Sequence, residues 1–141
     1  MRAPTMLTAE DRTFLAGPRL GFLTVASADA RSPHLPVPVW FEPLPDGVQL
    51  VTGARSAKVR RLRARPQASL VAANHLDEPE HWVAVAGPVT LHDDGAPELT
   101  ARLAGRYWDL DDPERAATLE AWRSEEMVRV VIRAEVLRRG E

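Results

Sequence analysis

Hydrophobic and polar positions along the chain change period several times, and each change predicts an element. Thr8 followed by Asp11 has the form of a capping box, and Phe14 and Leu15 give the next segment an apolar side, so a short helix is predicted up to Gly17-Pro18. Residues 20–27, LGFLTVAS, are β-rich, and DARSP after them is a polar turn. HLPVPVWFE then alternates strictly, with Leu35, Val37, Val39 and Phe41 on one face and His34, Pro36, Pro38, Trp40 and Glu42 on the other. A strand with one buried face follows from that pattern. PLPDG supplies a turn and VQLVT returns, which predicts a hairpin over 34–52.

Helical spacing takes over at 56–65, where Val59 and Leu62 share a face turned from Arg60, Arg61 and Arg63, and Pro66 stops the helix. QASLVAAN and HWVAVAGPVTL read as two further strands, the second with Val83, Val85, Val89 and Leu91 on one side. Helices are predicted over 97–107 and, after an Asp112 cap with Pro113 at the first helical position, over 113–122. The last strand, 127–137, turns Val128, Val130, Ile132 and Val136 inward. Six strands joined mostly by turns exceed what an open βαβ sheet uses, so a small six-stranded antiparallel barrel with peripheral helices is expected, as a single domain over 1–141.

Two features of the strand over 34–42 bear on chemistry. Pro36 and Pro38 lie two residues apart, so both missing N–H groups fall on the same lateral side, and that side cannot carry a normal ladder. An edge with unpaired carbonyls is expected there, open to a ligand that donates hydrogen bonds.

Composition narrows the classes. The 141 residues are 45% hydrophobic and 27% charged with a formal charge of −2, which gives no overall pull toward nucleic acid or an acidic membrane. Cysteine is absent, which excludes disulfides, thiolate metal sites and cysteine nucleophiles. His34, His75, His81 and His92 have no metal-ligand spacing, and no paired carboxylates, Ser-His-Asp set or glycine-rich nucleotide loop can be assembled, so no metal site and no hydrolase is expected. With no apolar run long enough to span a bilayer and no apolar segment in MRAPTMLTAEDR, the expected location is the cytoplasm.

Against that background one stretch stands out. TGARSAKVRRLRARP holds the chain's single lysine, Lys58, two residues after Ser56 at a predicted strand-to-helix junction, with six basic residues and no acidic one from 54 to 65. A helix start exposes unpaired N–H groups and partial positive charge, Ser56 adds a hydroxyl, Arg55 a planar fork and Lys58 a point charge. Those groups suit a phosphate. The same residues also describe an ordinary capped helix with a solvated basic face, and pattern alone leaves the two readings side by side.

LGFLTVASADARSPHLPVPVWF, VQLVTGARSAKVRRLRARPQASLVA and WVAVAGPVTL, about half the chain, resemble the split-barrel flavoproteins of the pyridoxamine 5'-phosphate oxidase-like superfamily, in particular its flavin/deazaflavin oxidoreductase branch. The resemblance implies a split barrel that binds FMN or F420 and exchanges hydride or electrons with a small organic substrate, as a homodimer with the cofactor in a groove between subunits. It places Thr52, Ser56 and Lys58 on the phosphate side and Val37, Pro38, Val39, Trp40 and Val51 along the ring. Beside these, Arg55 is expected to reach the phosphate from the other side, and Trp82 to be a further cofactor contact. It nominates no catalytic side chain. Two departures argue against oxidation of pyridoxamine phosphate itself: Ala57 stands where those oxidases have an arginine before the lysine, and MVRVVIRAEVLRRGE lacks their substrate-phosphate arginine and histidine. A non-catalytic store for a flavin, F420 or a haem-derived ligand is the alternative. Trp108, Trp122 and Tyr107 read as packing residues.

Overall fold

The computed structural model describes residues 5–27, 29, 31 and 33–140. In chain order it contains α1 (Ala9–Ala16), β1 (Gly21–Val25), β2 (Val37–Val39), β3 (Glu42–Leu44), β4 (Gly47–Gly53), α2 (Ala57–Ala64), β5 (Gln67–Ala73), β6 (Trp82–His92), α3 (Ala96–Tyr107), α4 (Pro113–Trp122), β7 (Met127–Arg133) and β8 (Val136–Gly140). Every strand pair is antiparallel, and the strands form one sheet in the order β2-β1-β5-β6-β7-β4-β3, with β8 beside β6. The fold is therefore mainly β, a curled half-barrel with flanking helices, as the pattern and the resemblance led one to expect. The turn expected over 29–33 lies only partly among the described residues.

The curl is built around β6. On one side it pairs with β5 along Trp82–Pro88, while on the other it meets β8 over its first half and β7 over its second. Leu23, Leu50, Leu70, Val83, Val85 and Ile132 fill the concave side and are at most 1% exposed. β1 and β4 belong to opposite wings of this sheet, and α2 packs against both. Its buried residues, Val59 and Leu62, are the two whose spacing defined its apolar face, and Leu62 joins the core cluster. The helix thus closes the gap that the curled sheet leaves open.

Eight strands replace the expected six because two expected strands are each interrupted. The first, 34–42, breaks at Trp40-Phe41. Val37–Val39 pairs with β1, and only Glu42–Leu44 makes the hairpin with β4, so the predicted hairpin over 34–52 holds in its second half alone. The physical reason is that the Phe41 N–H donates to the Tyr107 hydroxyl instead of to a neighbouring strand, and the Phe41 ring is fully buried. Leu35, expected on the buried face, is 71% exposed, since the chain before Val37 has left the sheet. β2 is nevertheless a terminal strand of the sheet, the edge position its prolines demand.

The second interruption separates β7 from β8. Between the Val89–Ile132 and Ala86–Val136 pairs, two residues of β6 oppose three of the partner, which is a bulge. Gly87 permits it: a Cβ there would lie 2.0 Å from the Arg133 carbonyl oxygen. One inserted residue reverses the inside-outside phase. Ala134 still keeps the inward phase of Val130 and Ile132, but beyond it Val136 is 38% exposed instead of inward, and Leu137 packs against the core in its place.

The ends of the described chain are tied together by charge. Asp11, which completes the Thr8 capping box, receives two 2.6 Å hydrogen bonds from the Arg139 guanidinium. Hydrogen bonding to Arg139, against the opposing effect of burial, holds the Asp11 carboxyl at about 2 instead of 3.8. A depressed carboxyl stabilises the fold above its ordinary value and loses that contribution as pH falls through its folded value. Because the Arg139 side chain is 43% exposed, solvent screening reduces the contribution to about 1–2 kcal/mol. In urea titrations Arg139→Ala is expected to be less stable than the parent by about that amount at pH 7, with the difference shrinking between pH 4 and pH 2. A constant difference across that window would contradict the assignment.

Candidate functional site

β4 ends at Gly53, and the chain turns into α2 through Ala54, Arg55 and Ser56. Ser56 is the N-cap: its backbone is extended, and its Oγ accepts from the Val59 N–H at 3.3 Å. Buried Thr52 brings its Oγ1 to 3.3 Å from Ser56 Oγ. The turn is closed by the Ser56 N–H donating to the Gly53 carbonyl at 3.0 Å, and tied to the α4–β7 connection by the Ala54 N–H donating to the Glu126 carbonyl at 3.0 Å. Pairing of β4 with β7 continues to Gly53–Met127, so this junction is carried by the sheet itself.

Ala57 and Lys58 occupy the first two helical positions, whose N–H groups have no partner within an α-helix. Among the described residues, no carboxylate oxygen lies within 4.0 Å of the basic groups of Arg55, Lys58, Arg60, Arg61, Arg63 or Arg65. Arg60 turns back instead to donate to the Arg55 carbonyl at 2.9 Å. A cavity of about 400 Å³ opens beside Gly53–Ser56, with Ser124, Glu125 and Glu126 on its other wall. Arg55, which lines the cavity, and the open amide positions at the α2 start are donors of the kind a phosphate accepts from. The Ser56 hydroxyl already engages Thr52 and the Val59 N–H, and Thr52 and Lys58 lie outside the cavity lining. The two glutamates opposite make the cavity two-signed, a feature that the basic run by itself does not disclose.

The ten residues nominated from sequence fall into separate places. Val51, Thr52, Arg55, Ser56 and Lys58 follow one another through the β4–α2 junction, where the Thr52 and Ser56 hydroxyls meet and Arg55 and Ser56 line the cavity. Val37, Pro38 and Val39 form the terminal strand β2, with Val37 and Val39 half-buried against the core and Pro38 exposed; they do not line the cavity at the α2 start. Trp82 opens β6, whose last residue, His92, shares a rung with Arg129 and Val51, so Trp82 stands at the far end of the strand from the junction. Its ring lies over Gly140. Trp40 stacks on Tyr107 at 5.3 Å between ring centroids, with Trp108 and Trp122 edge-on to it at 4.8 and 6.1 Å.

Pattern reasoning missed how Tyr107 organises this region. Its hydroxyl donates to the Arg19 carbonyl at 2.6 Å and lies 3.4 Å from the Phe41 N–H, which it accepts, so one side chain of α3 fastens the β2–β3 link to the segment before β1. Burial raises the pKa of the phenol above its ordinary value, and it stays protonated at neutral pH. Neighbouring Arg106, lowered chiefly by burial, donates to the Leu15 and Gly17 carbonyls and sits 5.6 Å from the Phe41 ring. Burial would raise the Glu42 carboxyl, but hydrogen bonds from Arg102 and Gln49 carry it below its usual range. The available signal was the crowding of Tyr107, Trp108 and Trp122 onto two late helices.

The pyridoxamine 5'-phosphate oxidase family model matches residues 7–131, and the chain belongs to that family. Among curated proteins none matches. Among solved structures, the chain is similar to an F420 reductase (18% identity, TM-score 0.71, covering 94% of this chain and 98% of the other). It is also similar to HutZ, the heme storage protein from Vibrio cholerae (12%, 0.65, 95% and 94%), and to a FAD-binding protein from Mesorhizobium loti (17%, 0.60, 98% and 97%). At these identities the likeness is one of fold.

Tyr107→Phe tests the organising role of the hydroxyl. Loss of this bond with partly buried carbonyl and amide partners is expected to cost about 1–3 kcal/mol in chemical denaturation. The Trp40 emission should shift, because its stacking partner loses its anchor. A variant with parental stability would show that the hydroxyl is idle.

Proposed function

We propose that the protein is a flavin- or deazaflavin-dependent oxidoreductase that binds FMN or F420 and exchanges hydride or electrons with a small organic substrate, working in the cytoplasm as a homodimer. The observation that carries this reading is the phosphate-compatible β4–α2 junction in a chain of the pyridoxamine 5'-phosphate oxidase family. When bound, such a cofactor supplies the redox chemistry. The chain's own residues bind and orient it: Arg55, Ser56 and Lys58 hold the phosphate, Val51 and Thr52 shape the adjoining wall, and β2 offers its free edge to the ring.

On that reading Trp40 acts from behind, stacked on Tyr107 and keeping β2 in place. Trp82, at the other end of β6, serves a site on the same chain poorly and one completed by a second copy better. Exposed Phe22 and Trp82, with Val71 and Ala84 on the rung of Phe22, leave the convex side of β1, β5 and β6 apolar enough to favour a subunit contact. Among the described residues no helix is long and apolar enough to cross a membrane.

The similarity to a heme storage protein supports a second reading, a non-catalytic carrier of a flavin, F420 or a haem-derived ligand. Purified protein separates the possibilities. Yellow colour with flavin fluorescence is expected for FMN, and a colourless protein that alters the fluorescence of added F420 for the deazaflavin. Reduction of bound cofactor by a nicotinamide donor, or oxidation of reduced F420 by a quinone, marks catalysis; tight binding with no turnover marks storage. Lys58→Ala is expected to weaken cofactor binding by about 1–3 kcal/mol, the scale of a lost charge-assisted bond, as read by calorimetric titration. Unchanged affinity would remove Lys58 from the site.

A further inference from the structure

A second cavity, of about 390 Å³, lies between α3, α4 and β7. α4 has no buried residue, and only Leu119 and Trp122 turn partly inward from it. Trp122 rests on Trp108, with 5.2 Å between ring centroids, so the aromatic stack holds the helix end against the body of the protein. The cleft beneath has an apolar lining of Ala101, Leu119, Trp122 and Met127 and carries Glu98 and Glu125 at its margin.

The margin carries two carboxylates and one guanidinium. Among the described residues neither Glu98 nor Glu125 has a cationic group within 4.0 Å, while Arg123, the basic residue on the same margin, already pairs with Glu120 at 3.2 Å. Glu125 is held above the end of α4 by its N–H, which donates to the Trp122 carbonyl at 3.0 Å. Two carboxylates with no cation within 4.0 Å, beside an indole and an apolar floor, complement a ligand with a positive head and a hydrophobic body.

We propose that this cleft is a binding site for a small apolar cation, an amine or quaternary ammonium with an aromatic or aliphatic body, in which Glu98 and Glu125 select the charge and Trp122 contacts the cationic head. The site does not depend on the redox reading, although Glu125 also lines the cavity at the α2 start and makes the two sites neighbours.

Benzyltrimethylammonium and its neutral isostere neopentylbenzene, titrated separately into the full chain and followed by methyl NMR, test it. The cation is expected to shift the Leu119 and Met127 methyl signals and to bind about ten-fold more tightly than the isostere. Glu98→Gln with Glu125→Gln, both exposed and outside the core, should erase that preference without lowering the melting temperature; Trp122→Phe should keep part of it. Equal binding of the two probes, an undiminished preference in the double variant, or shifts confined to other methyl groups would each overturn the proposal.

Discussion

The structure depends on the burial of Val59 and Leu62 where the two wings of the sheet fail to meet. An eight-stranded sheet curled about β6 leaves its concave side open between β1 and β4, and α2 fills that opening with two side chains that are each 1% exposed. Each such burial contributes about 1.5–3 kcal/mol. More consequential is the direction it imposes: with its apolar face fixed in the gap, the helix presents its capped first turn beside the end of β4 and its arginines to solvent. Core packing by the helix thus fixes where the junction that precedes it stands.

The opposite margin of the half-barrel is secured differently. There the chain crosses between wings at Trp40-Phe41, where no ladder hydrogen bonds are available, and Tyr107 supplies a hydroxyl in their stead. Phe41 enters the core while Trp40 joins Tyr107, Trp108 and Trp122 outside it. This aromatic cluster is what attaches α4, a helix with little apolar surface of its own, and the attachment at one end creates the cleft with Glu98 and Glu125 at its margin. Packing that closes the barrel at one point thus opens a cavity at another.

Charge follows the same division. Asp11–Arg139 and Arg102–Glu42 pair across distant parts of the chain and fix tertiary contacts, whereas the cations around α2 have no carboxylate partners among the described residues. The glutamates of the α4–β7 connection are brought against the α2 start by the β4–β7 pairing, so the field at the junction is set by residues some seventy positions apart in sequence.

What the sequence determined by itself was local. Capping at Thr8, Ser56 and Asp112, the helical face of 56–65, the helix over 97–107, the strand periods and the edge character imposed by Pro36 and Pro38 all follow from groups within a few residues of one another. Only the tertiary structure decided the rest. The strand over 34–42 had an unbroken alternation, yet it splits because Tyr107 takes the N–H of Phe41; Val136 kept the inward period, yet a bulge opposite Gly87 hands its place to Leu137. Trp40 and Trp82, nominated together, lie in different places, one stacked on Tyr107 and the other at the first rung of β6. Curling a sheet costs ladder positions at its bends, and which residues occupy those bends is set by partners dozens of positions away, where no local period reaches.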